Sequence, residues 1–237
     1  MKTTEKIQQL KQQKEYNIND LMDIVTILRG EGGCPWDREQ THESIRNDLI
    51  EETYEVIEAI DTSNSELMRE ELGDLLFQII FHANMEEEKG SFTLDDIITE
   101  ISAKMIHRHP HVFGDVVVEG TGEVLSNWES IKTEEKQRNT LSQKLRAIPP
   151  MLPALMRAQK FAKKSGVYDQ MEANELLEQM KSTLSEMQEE DNPDVLSQKL
   201  GTVLMKATAF AQKKGIQAEQ VLFESTNSAI DTMESYL

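Results

Sequence analysis

The chain has 237 residues, with 43 aspartates and glutamates against 25 lysines and arginines, which gives a formal net charge of −18. This charge argues against a protein that binds nucleic acid through phosphate contacts, and against docking on anionic lipid. No apolar stretch is long enough to cross a bilayer, and the first residues lack the apolar core of a secretory signal. The single cysteine, Cys34, excludes an internal disulfide, and we expect a cytoplasmic protein.

Apolar residues recur at helical spacing along most of the chain, and helix formers dominate the composition, so an all-α fold is predicted. The predicted domains are an N-terminal extension at residues 1–18, a helical domain at 19–139, a linker at 140–153 and a second helical domain at 154–237. The predicted helices cover about residues 19–30, 41–60, 65–88, 93–109, 122–137, 154–165, 174–190, 195–214 and 217–235. Residues 32–37, with their glycines and proline, and residues 111–120 are predicted to be irregular.

The predicted helix at residues 65–88 carries acids that a solvated position does not explain. Apolar residues cover nearly all of its surface, which is typical of a buried helix. One narrow polar stripe interrupts them, formed by Glu71, Asp74, Gln78 and His82. Because burying a carboxylate without a partner is costly, this stripe predicts a charged partner for its acids.

The preceding helix places two more acids near this stripe. Glu52 lies at the border of the apolar side of that helix, and Glu55 follows one turn later. About four residues join the two helices, so an antiparallel hairpin is expected to bring these acids opposite Glu71 and Asp74. Four carboxylates in one cleft repel each other unless a cation lies between them, and oxygen ligands favour Mg²⁺, or Mn²⁺ in its place. The alternative is a set of internal ion pairs with Arg69 or Lys104.

An EExxE…ExxD motif is formed by residues 51–55 together with residues 71–74. With it, the chain resembles the MazG family of all-α nucleoside triphosphate pyrophosphohydrolases. Four further segments resemble family signatures, in the family's order, at residues 33–37 (GCPWD), 71–77 (ELGDLLF), 108–113 (RHPHVF) and 128–132 (WESIK). The resemblance covers about residues 19–139.

This resemblance implies Mg²⁺-dependent hydrolysis of nucleoside or deoxynucleoside triphosphates to the monophosphate and pyrophosphate. It implies four metal ligands, Glu52, Glu55, Glu71 and Asp74, and it implies that Glu51 either supports these ligands or orients the attacking water. It further implies substrate contacts from Trp36, Lys104, Arg108, Trp128 and Lys132. The last four form two pairs with a spacing of four residues, which places each pair on one face of a helix.

The second half of the chain resembles a repeat of the first half that has lost its acids. The segment at residues 199–204 (KLGTVL) matches residues 71–76 (ELGDLL). The four positions that correspond to the predicted ligands hold Gln179, Ser182, Lys199 and Thr202, so we predict a degenerate domain that binds no metal. The alternative is an unrelated pair of helical hairpins.

The most consistent interpretation of the sequence is a nucleotide pyrophosphohydrolase that clears unwanted or excess nucleotides. A base-selective enzyme, for example one acting on dUTP or dCTP, belongs to the same class. The alternative from another class is a helical module that binds nucleotide or protein without catalysis. Because the helix at residues 65–88 is apolar over so much of its surface, a homodimer is also expected.

Overall fold

The computed structural model describes residues 3–135 and 140–236. All regular secondary structure in these two ranges is helical, which confirms the predicted all-α fold. The thirteen helices of the described ranges are α1 (Thr3–Gln12), α2 (Ile18–Arg29), α3 (Pro35–Glu39), α4 (Arg46–Asp61), α5 (Ser65–Glu88), α6 (Leu94–Arg108), α7 (Pro110–Phe113), α8 (Thr121–Glu135), α9 (Leu141–Arg146), α10 (Ala154–Ser165), α11 (Ala173–Gln188), α12 (Pro193–Lys214) and α13 (Ala218–Glu234). None of these helices is long and apolar enough to cross a membrane.

The chain divides into two compact units, one ending at Glu119 and the other beginning at Gly120. The division lies before α8, whereas the sequence analysis grouped the residues of α8 with the first half. The domain limits predicted from the sequence, 19–139 and 154–237, therefore differ from this structural division and remain a proposal.

In the first unit, α4 and α5 form the predicted hairpin. The chain reverses between Asp61 and Ser65, where Ser63 adopts a left-handed conformation with φ of 52°. The Asn64 side chain then caps α5 by accepting hydrogen bonds from the backbone N–H groups of Glu66 and Leu67. The short connection leaves α4 and α5 antiparallel and packed against each other.

The core of the first unit lies where the C-terminal half of α5 packs against α2 and the start of α6. Its buried members are Val25, Ile45, Ile80, Phe81, Ala83, Met85 and Leu94. This half of α5 is buried as predicted. One apolar face of the preceding part of α5 is not buried, because Leu72, Leu76 and Ile79 remain 48%, 38% and 41% exposed.

Helix starts follow the side-chain caps in the sequence. Asn17 and Asp20 form a reciprocal capping box at the start of α2, and Thr93 and Asp96 form another at α6. The predicted helix at residues 41–60 begins later than expected, at Arg46. The preceding residues form turns instead, in which the Ser44 hydroxyl donates to the Gln40 side chain.

Three short helices occupy segments that the sequence predicted to be irregular or a linker. Proline stands at the first helical position of α3 and of α7, where its fixed φ and missing N–H favour a helix start. In the predicted linker, Thr140 and Gln143 form a capping box that starts α9. Both signals are local, and they outweigh the glycines and prolines nearby, which predicted loops.

In the second unit, α11 and α12 pack together as α4 and α5 do in the first, and α10 packs against α12. The core consists of Ala162, Leu176 and Ala209. Lys199, which stands where the first half has Glu71, lies 3.5 Å from a carboxylate oxygen of Glu186 and 4.0 Å from one of Glu190. Lys199 is thus close to acids of its own unit, and the degenerate character of the second half remains a prediction.

Candidate functional site

Three carboxylates meet between α4 and α5. Glu52 and Glu55 extend from α4, Glu71 extends from α5, and one oxygen of each lies within 4.8 Å of the others. Glu71 is only 8% exposed, and the other two are half-buried. The hairpin therefore brings together three of the four acids that the sequence analysis singled out.

Burial and neighbouring acids raise the pKa values of two of these carboxyl groups. Partial burial, followed by the charges of Asp74 and Glu55, raises the pKa of Glu52 to about 7. Burial also raises the pKa of Glu71, with the charges of Glu55 and Glu70 adding to the effect. Carboxylates that resist ionisation for these reasons are stabilised in their charged form by a cation placed between them.

Asp74 lies one turn after Glu71 on α5 and is exposed. It is outside the set of three, yet after burial its charge is the largest cause of the raised pKa of Glu52. Glu51 is exposed on α4 and is also outside the set. The ligand role of Asp74 and the water-orienting role of Glu51 therefore remain predictions.

The alternative of internal ion pairs has no support in the described ranges. The charged groups that act on Glu52 and Glu71 are all carboxylates. Neither Arg69 nor Lys104 forms an ion pair with them in the part of the chain that the structure describes. The donor set consists of carboxylate oxygens, which fits a hard divalent cation and does not fit the softer metals that prefer sulfur or imidazole.

A second polar network, which the sequence analysis missed, follows the same stripe of α5. The Nδ1 atoms of His42 and His82 are 2.7 Å apart, and His42 Nε2 lies 2.6 Å from a Glu86 oxygen. If His42 donates to Glu86 through Nε2, its Nδ1 accepts a hydrogen bond from His82. Lys89 donates to the same Glu86 oxygen at 2.7 Å. The network ties the turn before α4 to α5.

The charges in this network shift its pKa values in defined directions. The hydrogen bonds from Lys89 and then His42 lower the pKa of Glu86 to about 2. Burial, followed by the neighbouring His42, lowers the pKa of His82. The spacing of His82 and Glu86, four residues apart on α5, was visible in the sequence. Nothing in the sequence indicated that the distant His42 joins them.

Among the predicted substrate contacts in the first unit, Trp36 is the most accessible. It is the second residue of α3 and is 60% exposed. Arg29 holds α3 in place by donating to the Asp37 carbonyl oxygen at 2.7 Å. On α6, Lys104 is half-buried, while Arg108, one turn later, is only 6% exposed. Their contacts with a substrate remain predictions.

The other two predicted substrate residues, Trp128 and Lys132, lie on α8 and therefore belong to the second unit. Both are half-buried, and the Lys132 ammonium lies 3.9 Å from a Glu129 carboxylate oxygen. Their spacing places them on one face of α8, as predicted. Their part in a site with the carboxylate cluster remains a prediction.

Comparison with known proteins matches residues 40–113 to the MazG nucleotide pyrophosphohydrolase domain. This segment contains the whole α4–α5 hairpin and all five acids of the motif. It also contains His42, His82 and Glu86, but neither Trp36 nor any residue of the second unit.

Two relatives match over most of their length. The nucleoside triphosphate pyrophosphohydrolase/pyrophosphatase MazG of Thermotoga maritima is 37% identical over 90% of this chain and 82% of its own length. The nucleoside triphosphate pyrophosphohydrolase of Escherichia coli K12 is 40% identical over 86% of this chain and 81% of its own. The protein YabN of Bacillus subtilis is 48% identical over 62% of this chain and 30% of its own. With a matching domain around the carboxylate hairpin and relatives that align along both halves, the chain belongs to the MazG family.

Proposed function

We propose that this protein hydrolyses nucleoside or deoxynucleoside triphosphates to the monophosphate and pyrophosphate, with Mg²⁺ as the cofactor and Mn²⁺ as a substitute. The observation that carries the proposal is the carboxylate cluster of Glu52, Glu55 and Glu71, in which oxygens from two helices lie within 4.8 Å. The printed names of the Thermotoga and Escherichia relatives support the same reaction class.

The residues that would hold the cation are Glu52, Glu55, Glu71 and Asp74. A bound Mg²⁺ would supply positive charge against the phosphates and would acidify a coordinated water. A triphosphate is itself strongly anionic, so these four acids would repel it in the absence of a cation. Glu51, which precedes the first ligand on α4, is proposed to orient the attacking water.

Other side chains are proposed to bind the rest of the substrate. Lys104 and Arg108 on α6, and Lys132 on α8, would neutralise phosphate oxygens that the ligands do not reach. Trp36, which offers an exposed aromatic face, and Trp128 would contact the base. Such contacts fix the position of the substrate, which is the main contribution of protein side chains to phosphoryl transfer.

The physiological role that we propose is the removal of unwanted nucleotides in the cytoplasm by a homodimer. The proposal of a dimer rests on α5, where Leu72, Leu76 and Ile79 are exposed. A contiguous apolar face of this kind is typical of an interface.

Product analysis tests the reaction directly. The full chain is incubated with a panel of nucleoside and deoxynucleoside triphosphates and Mg²⁺, and the products are separated by ion-exchange chromatography. Monophosphate and pyrophosphate in equal amounts are expected, and EDTA should abolish both. Diphosphate with orthophosphate would contradict the proposed reaction. No turnover from folded protein with Mg²⁺ or Mn²⁺ would instead favour a non-catalytic binding module.

A further inference from the structure

A cleft in the second unit is lined by five lysines, of which the proposed reaction uses only Lys132. It has a volume of about 900 Å³ and lies among α8, α9 and α10. Its cations are Lys132, Lys144, Lys160, Lys163 and Lys164. Five of the chain's 25 lysines and arginines therefore converge on one cleft, although the net charge of the chain is −18.

Most of this positive charge is not neutralised from within the cleft. Its two acids are Glu129 and Glu134, and Glu129 lies 3.9 Å from Lys132. In the described ranges, no acid forms an ion pair with Lys144, Lys160 or Lys163. With Lys132 set against Glu129 and Lys164 left out of the count, these three lysines face one remaining acid, Glu134, and the excess of positive charge attracts a multiply charged anion.

Hydroxyl groups add hydrogen-bond donors along the α8 side of the cleft. Ser126 and Ser130 are four residues apart, so both lie on the same face of α8. Neither hydroxyl forms a hydrogen bond with another side chain in residues 3–135 or 140–236. Hydroxyls that remain available beside ammonium groups suit the oxygens of a phosphate chain.

We propose that this cleft binds the phosphate chain of a diphosphate or triphosphate compound. Lysine is a common phosphate ligand in proteins and acts as a point charge. Several spaced lysines therefore match a ligand with several phosphoryl groups better than they match a ligand with one carboxylate. The cleft volume lies in the range of small-molecule sites, so a nucleotide fits as well as an inorganic polyphosphate. This site goes beyond the proposed reaction, because it needs no metal ion to accept an anion.

The test is isothermal titration of the full chain with inorganic tripolyphosphate in EDTA. Removing divalent cations leaves the carboxylate cluster of the first unit repulsive to phosphates, so binding under this condition reports the lysine cleft. The expected result is binding at one site, weaker for pyrophosphate and weakest for orthophosphate. The affinity should fall as salt is added, because the attraction is electrostatic.

Two double variants locate the binding. Lys160→Ala with Lys163→Ala should weaken tripolyphosphate binding by about tenfold or more, since two exposed charge contacts are lost. Lys181→Ala with Lys214→Ala changes the net charge equally outside the cleft and should bind as the wild type does. Lys132 stays unchanged because a substrate contact is proposed for it. No binding by the folded wild-type chain, or equal losses in both double variants, would overturn the proposal.

Two further arms identify the ligand source and separate this proposal from the proposed reaction. A nucleoside triphosphate that binds more tightly than tripolyphosphate in EDTA would identify a nucleotide, and equal affinities would identify the phosphate chain alone. Glu52→Gln should keep the binding seen in EDTA, although it is expected to abolish turnover with Mg²⁺. Failure of turnover in the wild type would therefore leave the result of the titration unaffected.

Discussion

At the scale of single residues, the carboxylate cluster combines poor stability with the ability to bind a cation. Glu52 has its pKa raised to about 7 because burial and the neighbouring acids disfavour its charged form. The same arrangement of oxygens favours the binding of a divalent cation, because the cation relieves the repulsion. Ligand binding to the folded state alone stabilises a protein, so metal affinity and stability are linked here.

Glu52→Gln should therefore change stability in opposite directions with and without metal. In EDTA the melting temperature should rise by a few degrees, because one repelling carboxyl is removed. With Mg²⁺ or Mn²⁺, the wild-type chain should gain stability and the variant should gain much less. Differential scanning fluorimetry measures both. Equal metal-induced shifts in wild type and variant would show that Glu52 is not a ligand.

The Glu86 network predicts an acid-sensitive part of the stability. Because the folded pKa of Glu86 is about 2, below its ordinary value, its contribution is present above about pH 4.5 and is lost as the pH falls towards 2. The lowered pKa of His82 acts in the same direction, since protonation below about pH 6.5 favours the unfolded chain.

Glu86→Gln should consequently be destabilised at pH 7, and its difference from the wild type should shrink between pH 4.5 and pH 2. Urea-unfolding midpoints at several pH values measure this difference. Glu87→Gln is the control, because Glu87 is exposed next to Glu86 on α5 and lies outside the network. A difference between Glu86→Gln and wild type that stays constant with pH would contradict the assigned linkage.

At the scale of elements, each unit contains a pair of packed helices, and the two pairs carry different charges. In α4 and α5 the facing positions hold acids that repel each other, whereas in α11 and α12 Lys199 pairs with Glu186 and Glu190. The second pair thus contains ion pairs between its own residues, whereas the first is proposed to need a cation.

Lys199→Glu should destabilise the second unit without creating a metal site. It removes two ion pairs and places a third acid beside Glu186 and Glu190, at a cost of about 1 kcal/mol because the pairs are partly exposed. The melting temperature should fall by a few degrees and show no added response to Mg²⁺. Lys214→Glu, an equal charge change at the end of α12, should have a smaller effect. A melting temperature unchanged by Lys199→Glu would show that these ion pairs contribute nothing.

Helix positions and the carboxylate hairpin were predictable because their causes are local. Asn17, Asn64 and Thr93 cap helices at the predicted starts, and the short connection at residues 62–64 leaves α4 and α5 no other arrangement. The contact of His42 with His82 was not predictable, since the tertiary fold brings together residues 40 positions apart. The burial of Arg108 was hidden for the same reason: its surroundings come from other elements.

At the scale of the whole molecule, the exposed face of α5 predicts the oligomeric state. Leu72, Leu76 and Ile79 form one apolar row, which a second copy of the chain is proposed to cover. Light scattering after size exclusion should give twice the 27.1 kDa of one chain.

Leu76→Glu with Ile79→Glu should shift this mass to that of a monomer, because charges are costly in an apolar interface. Val117→Glu, at a position 86% exposed on an irregular segment, should leave the mass unchanged. A wild-type mass of one chain at micromolar concentration would contradict the proposed dimer.

The central claim is that the carboxylates between α4 and α5 support nucleotide hydrolysis. Its most direct measurement is the Mg²⁺-dependent release of pyrophosphate by Glu52→Gln compared with Glu58→Gln. Both replace a glutamate on α4, but Glu58 is exposed and lies outside the cluster. We expect Glu52→Gln to lose nearly all turnover while folded, and Glu58→Gln to match the wild type. Full activity of Glu52→Gln would contradict the assignment of this cluster as the active site.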